Sequence, residues 1–193
     1  MDKTLVFIDA GFLSKVTCHL GDGTHLKYDM IKFAKYLTGK EKLIFKKLFY
    51  YNAPPFQSNK PTKNEKKRKE DYDSFITKIS RYKEIEIKEG RLQRVKEDGK
   101  YVFKQKGVDT LITMDLMDVP LEYPKIKKII LIATDSDFVP IIKRLEKRGI
   151  DTILYTYFDK NRKSKFSTAN QLLKCVKKYV KLKKEDFENC RFN

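Results

Sequence analysis

Short apolar segments alternate with amphipathic segments along the chain, and this pattern predicts strands and helices in turn. Residues 4–8 are continuously apolar and end at Asp9 and Gly11, as a buried strand entering a turn would. Residues 29–37 carry apolar side chains at helical spacing behind Asp29, which is placed to be a helix N-cap. The remaining predicted helices are 64–80, 108–117, 138–148 and 168–182, and the remaining predicted strands are 43–51, 85–95, 101–103, 129–133 and 152–157.

The order of these elements predicts the architecture. Strands and helices alternate through short links, which favours an α/β fold with a mostly parallel sheet between two layers of helices. Residues 129–133 are all aliphatic, as in a strand buried on both faces. Residues 85–95 instead alternate and are interrupted by Gly90, and Asp98 and Gly99 predict a hairpin turn. We therefore expect one domain over residues 1–182 and a C-terminal tail, 183–193, that is a solvated helix end or an oligomer contact.

Composition excludes several classes of protein. The sequence has no run of about 18 apolar residues, so we expect no membrane-spanning segment. Its N-terminus has no basic region followed by a long apolar stretch, so we expect no secretory signal. The three cysteines, Cys18, Cys175 and Cys190, are odd in number and scattered, which favours reduced thiols and a cytoplasmic protein.

The charge points to a polyanionic partner. Lys and Arg number 43 against 26 Asp and Glu, which gives a formal net charge of +17. Such a surface attracts the phosphates of nucleic acid. An anionic membrane surface is a competing partner, but the sequence has no amphipathic helix with a clear insertion face. A general lysine bias of the source proteome would also produce this composition.

Carboxylates follow the ends of predicted strands, which is where open α/β sheets bind their ligands. Asp9 follows the first strand, and Asp135 and Asp137 follow the aliphatic strand. Asp109 lies at the start of the preceding helix, and Asp115 lies further along it. If the first strand and the aliphatic strand are neighbours, Asp9, Asp109, Asp135 and Asp137 can converge on one cleft.

A group of carboxylates without cations is electrostatically unfavourable, because each charge raises the pKa of the next. Mg²⁺ or Mn²⁺, which prefer oxygen ligands, would offset this repulsion. A metal held in this way lowers the pKa of bound water and neutralises charge on a phosphodiester. The arrangement therefore predicts a metal-dependent hydrolytic centre for a phosphodiester.

Each acid also has a purely local explanation. Asp137 could be a helix N-cap, and Asp109 could be a first-turn acid that complements the helix dipole. Asp115 could be a solvated residue on another side of its helix, and Asp9 could accept hydrogen bonds from turn amides. Their combination at the strand ends is what favours a common site.

Other chemistries lack their motifs. The sequence contains neither of the glycine-rich loops that bind dinucleotides or nucleoside triphosphates. Asp135, Ser136 and Asp137 superficially resemble the DxD motif of haloacid-dehalogenase phosphatases, but those enzymes carry it after the first strand. His19 and His25 are the only histidines, too few for a histidine-rich zinc site.

Several motifs resemble one family. They are residues 7–13, with Asp9 at the strand end; residues 106–109, a Lys-Gly-Val-Asp run; Asp115; and residues 134–138, around Asp135 and Asp137. Together they resemble the NYN domains, within the LabA-like branch of the PIN-like nuclease superfamily. Residues 50–55 and 89–92 resemble that branch too, and the likeness extends from about residue 4 to residue 180.

The resemblance implies a PIN-like α/β/α sandwich and a metal-dependent ribonuclease centre. It implies that Asp9, Asp109 and Asp135 are the principal metal ligands, that Asp137 completes the group and that Asp115 supports it. Mg²⁺ or Mn²⁺ is the expected cofactor, and RNA is the expected substrate, with DNA or a DNA flap as an alternative. The candidate substrate-binding residues are Lys106, Ser136, Arg91 and Arg94; Lys106 could equally be one surface lysine among many.

One departure from the family pattern affects catalysis. Many members carry Asn three residues after the first Asp, whereas this chain has Phe12, a variant that also occurs in the LabA-like branch. An Asn amide could orient water or a phosphate, and a Phe ring cannot. A non-catalytic RNA-binding or regulatory module of the same fold is therefore the rival function.

Basic residues cluster in three segments, 60–69, 81–106 and 160–165. Tyr101, Phe103 and Phe166 lie near basic residues and could stack on unpaired bases. Packing within the core or a hairpin is the alternative explanation for these rings.

Overall fold

A six-stranded sheet forms the centre of this computed structural model, which describes residues 1–159, 166 and 170–192. All five strand pairings in the sheet are parallel, in the order β3-β2-β1-β6-β7-β8, and β4 pairs with β5 in a separate antiparallel hairpin. The strands are β1 Lys3–Asp9, β2 Ile44–Asn52, β3 Ile85–Glu89, β4 Arg91–Glu97, β5 Lys100–Lys106, β6 Lys128–Ile132, β7 Asp151–Thr156 and β8 Lys178–Lys181.

Helices cover both faces of this sheet. Helices α1, α2 and α7 pack on one face, and α4 and α5 pack on the other. None of the helices in the described ranges is long and apolar enough to cross a membrane. The predicted three-layer α/β/α sandwich is confirmed. The helices are α1 Ala10–Leu20, α2 Met30–Lys40, α3 Lys63–Ile79, α4 Val108–Glu122, α5 Val139–Lys147, α6 Asn170–Lys174 and α7 Lys184–Glu188.

The central strands are apolar on both faces because both faces are covered. Along β1, Leu5 and Phe7 point into the core beneath α4 and α5, while Val6 and Ile8 point into the core beneath α1 and α2. All four side chains are fully buried. The continuous aliphatic run predicted for residues 129–133 has the same cause in β6, which lies directly beside β1.

The segment predicted as one strand, 85–95, is two strands divided at Gly90. β3 joins the central sheet, whereas β4 turns away from it into the hairpin. A Cβ atom on Gly90 would lie 2.6 Å from the carbonyl oxygen of Lys106, so only glycine lets the two hairpin ends approach this closely. The hairpin turn predicted at Asp98 and Gly99 is confirmed, with β4 and β5 paired from Arg91↔Lys106 to Glu97↔Lys100.

The C-terminal region differs from the prediction. A single helix was expected over residues 168–182, of which 168 and 169 lie outside the described residues. The structure instead has the short helix α6 and then β8, whose residues pair with the exposed edge of β7. Backbone pairing with β7 therefore overrides the helical periodicity of this lysine-rich segment.

The expected solvated tail also contributes to the core. Phe187, in α7, is 1% exposed, and its ring stacks on Phe33 at a centroid distance of 4.9 Å. Lys40 of α2 bonds to the buried Asp186 at 2.7 Å, and Cys190 is buried. These side chains are thus not parts of a solvated helix end, while the division of the chain at residue 182 stays a prediction.

We predict that Phe187→Ala lowers the free energy of unfolding by about 3–5 kcal/mol, because it removes a fully buried ring. Urea unfolding followed by circular dichroism measures this. Phe192→Ala is the matched control, since this ring is 64% exposed and its loss should change stability by less than about 0.5 kcal/mol. Equal, small effects from both variants would mean that α7 is not docked in solution.

Candidate functional site

The connections of β1 create a crevice at the centre of the sheet. From β1 the chain passes through α1 and α2 to β2 on one side, whereas β6 lies on the other side. Such a switch point, at the carboxyl ends of parallel strands, is the usual ligand position in an open α/β sheet. Asp9 is the last residue of β1, and Asp135 lies three residues after the end of β6. The neighbouring strands required for convergence are therefore present.

Asp9 is held by the start of α1, a helix that the sequence analysis did not predict. It is the N-cap residue, and its side chain accepts a hydrogen bond from the backbone N–H of Phe12 at 3.1 Å. Burial nevertheless raises the pKa of Asp9 to about 6, an effect that the charge of Asp109 increases and the Phe12 amide opposes. An ordinary exposed N-cap would have a lowered pKa, so Asp9 is more than a cap.

Asp109 reaches the crevice from the first turn of α4. Its pKa is raised, first by partial desolvation and then by the charges of Asp135 and Asp137. Together with the effect of Asp109 on Asp9, this links all four predicted acids electrostatically. Asp9, Asp135 and Asp137 thus each lie within electrostatic range of Asp109 at this cleft; we call these four residues the carboxylate group.

Asp135 and Asp137 are ordered by a short 3-10 turn, Ser136–Phe138, between β6 and α5. Asp135 is the N-cap of this turn, and its side chain accepts a hydrogen bond from the backbone N–H of Asp137 at 3.0 Å. The capping role considered for Asp137 thus belongs to Asp135. Ser136 is half-buried between the two acids, and Phe138 is fully buried and anchors the turn.

The chemistry of the carboxylate group suits a hard divalent cation. Its members are oxygen donors, and neighbouring carboxylates help to raise the pKa of Asp9 and of Asp109, which is the repulsion that a cation would relieve. Across the ranges that the structure describes, however, no three His, Cys, Asp or Glu side chains are grouped closely enough to hold a metal ion by themselves.

Asp115 is engaged away from the carboxylate group. Its two carboxylate oxygens accept hydrogen bonds from the Tyr51 hydroxyl at 2.6 Å and from the Lys88 ammonium at 2.5 Å. Lys88 also pairs with Glu86 at 3.2 Å. Partial burial lowers the pKa of Lys88, but these acidic partners outweigh it and the net shift is upward. Asp115 therefore ties α4 to β2 and β3 and supports the position of the helix that carries Asp109.

The predicted substrate-binding residues occupy two places. Lys106 and Arg91 are cross-strand partners at the base of the hairpin. Lys106 lies three residues before Asp109 in the chain, and Arg91 directly follows Gly90. Ser136 lies between Asp135 and Asp137 in the chain, as described above. Arg94 lies further out on the hairpin, where its guanidinium is 4.5 Å from the centroid of the Tyr101 ring.

Two side chains near the site were not anticipated. Lys15 lies close enough to Asp9 to lower its pKa, and it is exposed on α1, a helix that had not been predicted. Gln105 lies directly over Gly11, since a Cβ atom added to that glycine would be 2.5 Å from the Gln105 side-chain oxygen. The alternation of β5 could have placed Gln105 on a face, but no local signal brings it to α1.

Phe12 does not face the cleft. Its side chain is 5% exposed and belongs to the core beneath α1 and α2. Only its backbone N–H contributes to the site, by bonding to Asp9. The departure from Asn at this position therefore replaces a polar group with core packing and leaves the capping of Asp9 in place.

The other basic segments are only partly described. Residues 60–69 form the approach to α3 and its first turns, where Thr62 and Glu65 make a reciprocal capping box. Residues 160–165 lie outside the described residues. Phe166 packs against His19 at a centroid distance of 4.8 Å, so at this ring the packing explanation holds.

Comparison with known proteins places this geometry in context. The family model described as "NYN domain" matches residues 3–183. No curated protein matches the chain. Among solved structures, the chain is similar to a Vibrio parahaemolyticus protein of unknown function, with 17% identity, a TM-score of 0.58, and coverage of 96% of this chain and 95% of that one. This likeness supports the fold.

We predict that Asp9→Asn stabilises the metal-free protein in a pH-dependent way. The pKa of Asp9 is about 6 in the folded protein, above an unfolded value of about 4, so the folded state binds the extra proton between these pH values. The free energy of unfolding of the wild type therefore falls as pH rises through that window, whereas Asn cannot titrate and remains a good N-cap.

The difference between Asp9→Asn and wild type should grow from less than about 0.5 kcal/mol at pH 4 to about 2.7 kcal/mol at pH 7.5, measured by urea unfolding in EDTA. Asp118→Asn is the control, because this exposed acid lies on α4 and no ion pair is described for it. A pH-independent difference for Asp9→Asn would show that Asp9 titrates like a solvent-exposed acid.

Proposed function

The chain belongs to the NYN domain family, and from that premise we propose that it is a divalent-metal-dependent endoribonuclease. NYN domains are usually nuclease-like hydrolases of the PIN-like superfamily and typically use divalent metals. One observation carries the proposal: four acids from three separate segments lie at the switch point, where Asp109 helps to raise the pKa of Asp9 and the charges of Asp135 and Asp137 help to raise the pKa of Asp109. Local capping alone does not explain that coupling.

Within the carboxylate group, Asp9, Asp109 and Asp135 would hold Mg²⁺ or Mn²⁺. When bound, such an ion supplies Lewis-acid activation of water and neutralises phosphodiester charge. Asp137, which is exposed, would hold or orient the attacking water. The backbone amides that bond to Asp9 and Asp135 fix the directions of these two carboxylates before a substrate arrives.

RNA as the substrate is supported by charge. The chain has a net charge of +17, and Lys15, Lys106 and Arg91 are exposed near the cleft. These cations would contact the phosphates on either side of the scissile bond, while Ser136 would donate a hydrogen bond to one of them. A strongly positive surface around an acidic cleft holds the polyanion and leaves the metal position to the carboxylates.

The proposal extends to two finer statements. Membership in the LabA-like branch is supported by the motifs around Asp9, Asp109 and Asp135 and by Phe12 itself. A cytosolic location is supported by three cysteines that are all free thiols.

A non-catalytic RNA-binding module is the second candidate. It is favoured by Phe12, whose side chain packs in the core, so that this position supplies no side-chain amide to the cleft. It is also consistent with carboxylates that are coupled without forming a three-ligand group among the described side chains. A nuclease for single-stranded DNA or DNA flaps is a third candidate that the same fold could serve.

We predict metal-dependent cleavage of labelled single-stranded RNA in Mn²⁺ or Mg²⁺ and none in EDTA. Asp9→Asn and Asp135→Asn should each lower the rate by at least about 100-fold, because each removes a carboxylate that would hold the metal ion. Parallel incubation with single-stranded DNA and a DNA flap identifies the preferred polymer.

Two control variants sharpen this assay. Asp118→Asn removes an acid from the same helix as Asp109 and should leave the rate unchanged. Asp115→Asn keeps the acceptor for Tyr51 but loses the ion pair with Lys88, so its rate should lie between the control and Asp135→Asn. RNA binding without cleavage in the wild type would instead favour the non-catalytic module.

We also predict that Mn²⁺ stabilises the fold through the carboxylate group. An ion at 100 times its Kd stabilises by about 2.7 kcal/mol, a rise of about 5–10 °C in the Tm for a domain of this size. Differential scanning fluorimetry should show this rise for the wild type and for Asp118→Asn, but not for Asp9→Asn or Asp135→Asn. An unchanged wild-type Tm at millimolar Mn²⁺ would argue against a metal site.

A further inference from the structure

The β4–β5 hairpin has two chemically different faces. In an antiparallel pair, residues directly opposite each other share a face. The pairs Leu92↔Gln105, Arg94↔Phe103 and Lys96↔Tyr101 therefore lie together on one face. We call these six residues the stacking face.

The inner end of the stacking face reaches the carboxylate group. The Gln105 side chain lies over Gly11, two residues from Asp9. Leu92 packs on the core cluster that contains Val108, next to Asp109. The stacking face thus begins at the cleft and extends outward, with Phe103 and Tyr101 about 7 and 14 Å further along β5, at about 3.4 Å per residue.

The outer part of the stacking face exposes rings and cations together. Tyr101 is 61% exposed and Phe103 is 45% exposed. The guanidinium of Arg94 is 4.5 Å from the Tyr101 centroid and 5.0 Å from that of Phe56, and the Phe56 and Phe103 rings are 5.4 Å apart. These contacts order the rings without burying them, so hairpin packing accounts for only part of their surface. Exposed apolar clusters of this kind mark interaction sites.

The charge of the hairpin identifies the class of partner. Residues 91–106 contain six Lys or Arg and only two acidic residues, Glu97 and Asp98. Glu97 pairs with Lys104 on the opposite face. The stacking face itself therefore carries Arg94 and Lys96 and no acidic residue. Aromatic rings interleaved with cations are the combination that binds unpaired bases and their phosphates.

We propose that the stacking face is a base-stacking arm that binds single-stranded RNA and directs it into the carboxylate cleft. The proposal rests on the proposed function for the identity of the polymer, but it adds the strandedness and the residues that recognise it. Duplex RNA keeps its bases stacked on one another and does not offer their faces to Tyr101 and Phe103. Gln105, between the rings and Asp9, lies where the bound strand would enter the cleft.

The test is fluorescence-anisotropy binding of the full chain, in EDTA, to a labelled single-stranded oligouridine and to an RNA duplex. Tyr101→Ala and Phe103→Ala should each weaken single-strand binding by about 5- to 150-fold and leave duplex binding unchanged. The salt dependence should stay the same, because neither change removes a charge. Arg94→Lys, which keeps the charge and loses the planar group, should weaken single-strand binding as well.

Tyr82→Ala is the matched control, since Tyr82 is 43% exposed and lies outside the hairpin; its affinity should equal that of the wild type. Equal single-strand affinity for Tyr101→Ala, Phe103→Ala and wild type would overturn the arm. So would equal weakening for single strands and duplexes. Either result would overturn the arm whether or not the chain cleaves RNA.

Cleavage separates failure of the arm from failure of the nuclease. If the wild type cleaves, Tyr101→Ala should slow cleavage of the oligouridine but leave hydrolysis of a dinucleotide unchanged, because a dinucleotide cannot span the cleft and the outer ring. Slower hydrolysis of both substrates would overturn the arm and point to damage in the cleft. If the wild type does not cleave, ring-dependent binding of single strands alone would uphold the arm and overturn the nuclease.

Discussion

Repulsion among four carboxylates is the constraint on which the structure of the cleft depends. Parallel strands β1 and β6, locked by fully buried side chains on both faces, hold Asp9 and Asp135 at neighbouring strand ends. Each of these acids also accepts a backbone N–H, and Asp9 and Asp109 lie at helix N-termini, where the helix dipole favours a negative charge. The scaffold thus offsets part of the repulsion with backbone amides.

In the ion-pair network beside the cleft, lysines offset the repulsion between carboxylates. Asp115 is neutralised by Lys88, and Glu86 by Lys88 and Lys47, so every acid in this network has a lysine partner. The carboxylate group has none among the ion pairs of the described residues, although the chain has 43 basic residues to draw on. The network thus pairs each acid with a lysine, whereas Lys15 acts on Asp9 of the carboxylate group from beyond ion-pair distance.

Periodicity predicted the central architecture because it reflects burial. The aliphatic strand β6, the helix behind Asp29 and the hairpin at Gly99 each depend on local sequence, and each was predicted close to its observed bounds. The convergence of Asp9 and Asp135 depended on strand order, so it could be stated only as a condition. The sequence analysis missed helix α1 because this helix follows β1 directly, with no linking segment between them. It mistook β8 for part of a helix because the pairing of β8 with β7 is not a local property of the sequence.

The local and the functional explanations of the acids turned out to be compatible, which is why sequence alone could not decide between them. Asp109 is a first-turn acid and Asp9 accepts a turn amide, as their sequence contexts allowed, whereas the N-cap role considered for Asp137 is taken by Asp135. What sequence could not supply is the sign of the pKa shift. Capping lowers the pKa of a carboxylate, whereas burial and like charges raise it, and for Asp9 and Asp109 the second effect is the larger.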